Sequence, residues 1–156
     1  MIDNDLFRAV LGRFASGVTV VTTRDANGNP HGMTVSAFSS LSLDPPLVLV
    51  CIGNDASTAP VMARAESFAV NVLRDDQEAL SRRFASVMSQ RFEGIGYHGS
   101  EGDPRLEGVL AWMQCRVVAQ HPSGDHVIYV GEVEQAGMSD GRPLLYYRGG
   151  YATLER

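Results

Sequence analysis

Four histidines, two cysteines and a run of closely spaced hydroxyls are the side chains here with the most chemistry to offer. His31, His98, His121 and His126 contain no pair at the spacing of a zinc site, and no cysteine stands near them. Cys51 and Cys115 each lie in an apolar strand-like run, which reads as two reduced, buried thiols. Ser16, Ser36 or Ser57 with a histidine could make a hydrolase, but no G-x-S-x-G elbow is present. His126 follows Gly124-Asp125 at the start of a strand and is best placed to face a pocket. A strand-end histidine satisfied by its neighbours is the equal alternative. Gly94-Ile-Gly-Tyr-His-Gly99 matches the dinucleotide pattern G-x-G-x-x-G. That motif works where a strand ends and a helix begins, because the helix N-terminus holds the pyrophosphate. Arg91-Phe-Glu before it and Ser-Glu-Gly-Asp-Pro after it supply neither, so the match is set aside.

The densest set of hydroxyls lies in Gly32 to Ile52, GMTVSAFSSLSLDPPLVLVCI. Two apolar, β-rich halves, Met33 to Leu43 and Leu47 to Ile52, flank an Asp44-Pro45-Pro46 corner, and Thr34, Ser36, Ser39, Ser40 and Ser42 are spread through the first. Val35, Ala37 and Phe38 break the period of two expected of a half-buried strand. Such a stretch suits plain core or a polar-edged wall against a flat ligand. Downstream, Ser57 and Thr58 stand before a helix near Ala59 to Ala65. Either is a natural cap worth ~1 kcal/mol, and the same geometry presents free N–H groups to an anion. Arg82 and Arg83 could complete a phosphate site.

The elements that must position these residues are mostly strands. Asp3 to Phe14 predicts a short helix with Leu6, Phe7, Val10, Leu11 and Phe14 on one stripe, expected to pack on the sheet that follows. Val18 to Thr23 is β-branched throughout. Asp25 to Pro30 is turn chemistry, so residues 18–38 predict a hairpin. Leu47 to Ile52 is a third strand, apolar on both faces. Ser67 to Val72 alternates as a strand, and Asp75 or Asp76 caps a helix running to about Ala85. Residues 86–107 predict a long loop. Val109 to Gln120 and His126 to Gln135 form a second hairpin around Pro122 to Asp125, and Leu144 to Arg148 and Tyr151 to Leu154 close the chain. About seven strands with two or three short helices make an antiparallel barrel with helical decoration.

Bulk properties exclude several function classes. The 156 residues suit one domain, 1–156, large enough to need no disulfide or structural metal. The chain is 44% hydrophobic and 20% charged with a net charge of −5, and it has no basic stripe, which argues against nucleic acid as a partner. The acidic, amphipathic start is not that of a signal peptide, and no 18-residue apolar run exists, so the expected compartment is the cytoplasm, with no membrane partner.

Taken in order, FRAVLGRFASGVTVVTT, GMTVSAFSSLSLDPPLVLVCI, ST..P, SFAVNVL, RRFAS, GDHVIYVGEVE and RPLLYYRGGY resemble the flavin reductase-like family, from about Phe7 to Leu154. These are the short-chain NAD(P)H:flavin oxidoreductases that serve two-component flavin monooxygenases. The resemblance implies a mainly β fold, an FMN-binding split β-barrel (a Greek-key antiparallel barrel) with a few flanking helices. It implies FMN or FAD as cofactor, NADH or NADPH as electron donor, a homodimer with flavin near its interface, and a flavin-dependent monooxygenase as partner.

Carried over residue by residue, the resemblance places Met33, Thr34, Val35 and Ser36 against the isoalloxazine, with Ser39 and Ser40 extending that wall. Cys51, Ile52 and Asn54 would meet the ring or ribityl chain, and Ser57 and Thr58 the phosphate. Arg83 and Phe84 match the phosphate or adenine end, with Arg91 a further basic position there. His126 and Tyr151 match the nicotinamide side, with His126 in the catalytic role. The chain departs at Gly150, where members often carry another residue. Arg13, Arg91, Arg148 and the tail Arg156 are candidates for an extra phosphate on the donor. Two other activities suit the same residues: a flavin- or heme-binding module that does not turn over, and a flavoenzyme that keeps its flavin and reduces another acceptor directly.

Overall fold

The computed structural model describes residues 1–155; Arg156 lies outside the described residues. In chain order the elements are α1 (Asn4–Leu11), β1 (Ser16–Gly17), β2 (Thr19–Arg24), β3 (Pro30–Val35), β4 (Phe38–Ser42), β5 (Leu47–Gly53), α2 (Ala59–Arg64), β6 (Ser67–Val72), α3 (Glu78–Phe84), β7 (Tyr97–His98), β8 (Arg105–Leu106), β9 (Ala111–Ser123), β10 (His126–Met138), β11 (Leu144–Tyr147) and β12 (Gly150–Thr153). The fold is mainly β with three short helices, as the β-branched runs predict.

Seven strands form one antiparallel sheet in the order β3-β2-β6-β9-β10-β5-β4, with β1-β11-β12 and β7-β8 as smaller sheets. The main sheet does not close. Its two edge strands, β3 and β4, are consecutive in the chain and separated only by Ser36 and Ala37. The expected single strand from Met33 to Leu43 is thus two strands, and its broken alternation marks the bend between them. There Phe38 N donates to Ser36 O (2.9 Å) and Cys51 N donates to Ala37 O (3.0 Å). β3 and β5 touch across the gap without pairing.

The core lies on both sides of β2. Val21, with Val35, Val50, Ile52, Phe68 and Tyr129, fills one cluster, while Val20 joins Val18, Leu73, Phe84, Leu106 and Leu144 in the other. Adjacent residues of a strand point to opposite faces, so a strand with five buried residues in a row serves both clusters at once. Each fully buried valine of this kind contributes ~1.5–3 kcal/mol. Asn71 satisfies the polar groups between layers: Nδ2 donates to Val20 O (3.0 Å), and Oδ1 accepts from Leu106 N (2.9 Å). Thr22 Oγ1 donates to Pro104 O (2.6 Å), fixing the long loop to the sheet.

Three expectations about local structure change. The stripe of α1 does not pack on the sheet: none of its residues is buried, and Leu6, Phe7, Val10, Leu11 and Phe14 all face outward. Helix α3 begins after Gln77 rather than at Asp75 or Asp76, because Asp75 N is engaged by Arg142 O (2.9 Å) and Gln77 Oε1 accepts from Arg74 N (2.8 Å). The 86–107 loop contains the β7–β8 ladder, built where the G-x-G-x-x-G match stands, with no helix after it.

Candidate functional site

The register of β5 on β10 puts one group of candidate residues side by side. Gly53 opposes His126, Ile52 opposes Val127 and Cys51 opposes Ile128. Directly opposed residues share a face of an antiparallel sheet. Val50, Ile52 and Tyr129 turn into the core, so Cys51, Gly53, His126 and Ile128 share the two strands' other positions. Cys51 is also joined to the β3–β4 seam through its N–H to Ala37. At the end of this strip Asn54 N donates to Asp125 O (2.9 Å), and His126 Nδ1 lies 2.7 Å from Asp125 Oδ1. These backbone contacts join strip, seam and turn.

On β3 the register is decided by packing. Met33 and Val35 pack with the core, so the alternate positions 34 and 36 point away from it. Thr34 Oγ1 donates to Ser81 O (2.6 Å) on α3, and Ser81 Oγ shares a 2.7 Å hydrogen bond with the Tyr151 hydroxyl. Arg82 lies over the Tyr151 ring, 4.9 Å from its centre. A short polar chain therefore connects Thr34 to Tyr151 through a serine that sequence spacing does not single out. Ser36, Ser39 and Ser40 are exposed along the seam and β4.

A third group lines a groove of about 710 Å³. Ser57, Thr58 and Arg91 meet there with His31, Asp25 and Gly32. Thr58 stands at the N-cap position of α2, yet its side chain makes no cap bond; its hydroxyl leans instead on Gly32 O (3.4 Å). His31 Nε2 lies 2.9 Å from Asp25 Oδ2, and that hydrogen bond first, then the backbone N–H of Asn29, holds the Asp25 carboxyl below its usual range. This pair spans the predicted turn and was missed because neither residue carries a motif. Its signal was available in the hairpin register, which brings the start of the turn against β3.

Two carried-over positions take structural roles. Arg83 Nε donates to Arg91 O (2.6 Å), and its Nη2 reaches the carbonyls of Gln90 and Glu93, so the guanidinium clamps the loop that walls the groove. Phe84 is fully buried against Phe92, edge to face at 5.0 Å, and offers no side-chain surface. Val35 and Ile52 are also core side chains, leaving only their backbones to a ligand. His126 and Tyr151 lie outside the groove lining, so the candidates form three adjoining groups rather than one cavity.

Comparison with known proteins gives this arrangement a relation. The model of the flavin reductase like domain family matches residues 11–155. The chain belongs to that family. Its relatives include an NADH-dependent flavin reductase of a Rhodococcus species, 44% identical over 95% of this chain and 85% of the other. The reductase component of a 4-nitrophenol monooxygenase from Rhodococcus opacus is 42% identical over 95% of this chain and 80% of the other. Among solved structures, the NADH:FAD oxidoreductase of Streptomyces globisporus, in complex with NAD and FAD fragments, superimposes with a TM-score of 0.90. It is 35% identical and covers 97% of this chain and 94% of the other.

The donor set of this flavin reductase-like domain fits a flavin. Arg91 donates to Gly32 O (2.8 Å) and to Ser86 O, but its Nε is buried without an acceptor. No carboxylate among the described residues pairs with it, and burial pushes its pKa down. A guanidinium in that state is short of a counter-charge, and an anion entering beside Ser57 would supply it. The strip offers backbone groups and an imidazole and the adjoining seam offers hydroxyls, with no hydrogen-bonded nucleophile–base pair among the described residues. Burial raises the Cys51 pKa and, with the charges of Asp103 and Glu134, pushes Cys115 up to about 12, so neither is a ready thiolate. Among the described residues no group of acids, histidines and cysteines could hold a metal.

Proposed function

We propose that this domain is an NAD(P)H-dependent flavin reductase that passes a hydride to FMN or FAD and supplies the reduced flavin to a separate flavin-dependent monooxygenase. The observation that carries this reading is the 44% identity to an NADH-dependent flavin reductase across 95% of the chain. When bound, the flavin supplies the electron-accepting ring, so the protein needs neither a nucleophile nor a metal.

The chain's own work is alignment. Backbone groups of Met33 to Ser36, freed where β3 ends at the open seam, meet the polar edge of the ring, and Ser39 and Ser40 extend that wall. The Thr34 hydroxyl is committed to α3 and acts by holding the wall in place. Cys51, Gly53 and Asn54 set the floor, and Ser57, Thr58 and Arg91 receive the phosphate. Arg83 and Phe84 support this end from behind. His126 stands at the nicotinamide side, with Tyr151 braced by Arg82 and Ser81 towards the same side. Holding the two rings in near-contact supplies rate through orientation alone.

The open sheet with its seam between β3 and β4 is read as a split barrel. The uncovered stripe of α1 supports a homodimer, and two free thiols fit a cytoplasmic protein. Purified protein mixed with NADH or NADPH and free FMN or FAD should consume the reduced nicotinamide only when flavin is present. No flavin-dependent loss of its absorbance band with either donor would reject the proposal.

A further inference from the structure

The turn between β9 and β10 consists of Gly124 and Asp125, closed by the paired Ser123 and His126. Gly124 has φ +61°, as a two-residue hairpin with glycine at its first central position requires. The turn leaves Asp125 engaged at both of its acceptor ends. Its carbonyl accepts from Asn54 N (2.9 Å), and its carboxylate Oδ1 lies 2.7 Å from His126 Nδ1. Opposite the imidazole stands Gly53, where even a methyl group would lie 3.6 Å from Nε2. The imidazole thus has one nitrogen against a carboxylate and the other beside Gly53 with no hydrogen-bond partner among the described residues.

A carboxylate only accepts, and a neutral imidazole carries a single N–H. The proton must therefore sit on Nδ1, leaving Nε2 as a bare acceptor. The geometry points to Asp125 as a positioning residue that fixes the Nδ1–H tautomer of His126, so that Nε2 accepts a hydrogen bond from the carboxamide N–H of the nicotinamide. This inference rests on the flavin reductase reading. The Asp125 carboxyl stays ionised for the purpose, its pKa held below the usual carboxylate range first by its hydrogen bond to His126. One residue thereby couples two sides of the site, the flavin loop through its backbone and the hydride donor through its neighbour's ring.

The tautomer can be read from long-range proton–nitrogen NMR correlations of the ligand-free, histidine-labelled protein at alkaline pH. Wild-type His126 should show the Nδ1–H form. Asp125→Ala should lose it, while Asp125→Asn, whose side-chain carbonyl still accepts, should keep it. Asp125→Ala should also raise KM for NADH about fivefold, the scale of one net hydrogen bond, with the flavin dissociation constant unchanged as the control for folding. An Nε2–H ring in an active wild-type reductase, or an unchanged tautomer in Asp125→Ala, overturns the role of Asp125 alone. A wild-type ring in the Nδ1–H form with no NADH oxidation overturns the nicotinamide contact together with the reductase reading.

Discussion

Each candidate side chain is best judged by what it already binds. His126 is half exposed and held only through Nδ1, so its free edge is available to a donor molecule. His126→Ala should raise KM for NADH several-fold while flavin titrations stay close to wild type; equal loss of both would remove it from the nicotinamide side. The two thiols differ in the same readable way. With Cys115 buried and its pKa near 12, a thiol reagent at mildly alkaline pH should modify one cysteine in the native protein and both in denaturant. Bound flavin should slow the first reaction if Cys51 floors the site. Sequence reading singles out His126, Cys51 and the hydroxyls by type, order and resemblance. It passes over Ser81, Asp25 and Gly53, because their contacts with the candidates come from packing and register, and residue types do not report register.

Elements were legible wherever periodicity was strong. The hairpin of β2 and β3, the buried β5 and the long β9–β10 ladder stand close to their expected bounds. Ends set by tertiary contacts were not. Gln77, rather than a neighbouring aspartate, starts α3 because the chain just before it is drawn to Arg142, far away in sequence. The β9–β10 ladder has its own close approach at a bulge, where a Cβ on Gly131 would lie 2.7 Å from Phe68 and 2.8 Å from Cys115. Gly131→Ala should cost ~1–3 kcal/mol by overpacking, measured as a lower denaturation midpoint with an unchanged slope. The stripe of α1 was recognised as apolar, but its partner was misassigned to this chain's own sheet. Replacing Phe7 and Leu11 with serine should shift sedimentation from dimer to monomer, weakening association by ~2 kcal/mol or more, while thermal unfolding of the monomer is unchanged. A wild-type chain that sediments as a monomer would remove the homodimer from the proposal.

At the scale of the molecule, acid sensitivity divides between opposing carboxylates. Asp25 and Asp125 have lowered pKa values, so what they contribute is complete above the ordinary carboxylate range and is lost as pH falls through their folded values. Asp103 runs the other way. Desolvation first raises its pKa, against the hydrogen bonds of Ser67 and Thr23 and the charge of Arg24, so its ionisation costs stability as pH climbs through that range. Asp103→Asn should raise Tm by a few degrees near neutrality and lose that advantage in acid. A lower Tm at neutral pH would show that its hydrogen bonds outweigh its desolvation.

The sheet order carries a consequence for how the chain is made. β5 pairs with β4 on one side and with β10 on the other, and β10 begins only at His126. On a ribosome, this strand with buried residues along it emerges long before its second neighbour. β6 waits likewise for β9. A nascent chain arrested just short of β9 therefore presents two unpaired strand edges at once, the state in which chaperones bind and aggregates nucleate. Release of a few dozen further residues closes both, so protease resistance should appear late and abruptly during synthesis.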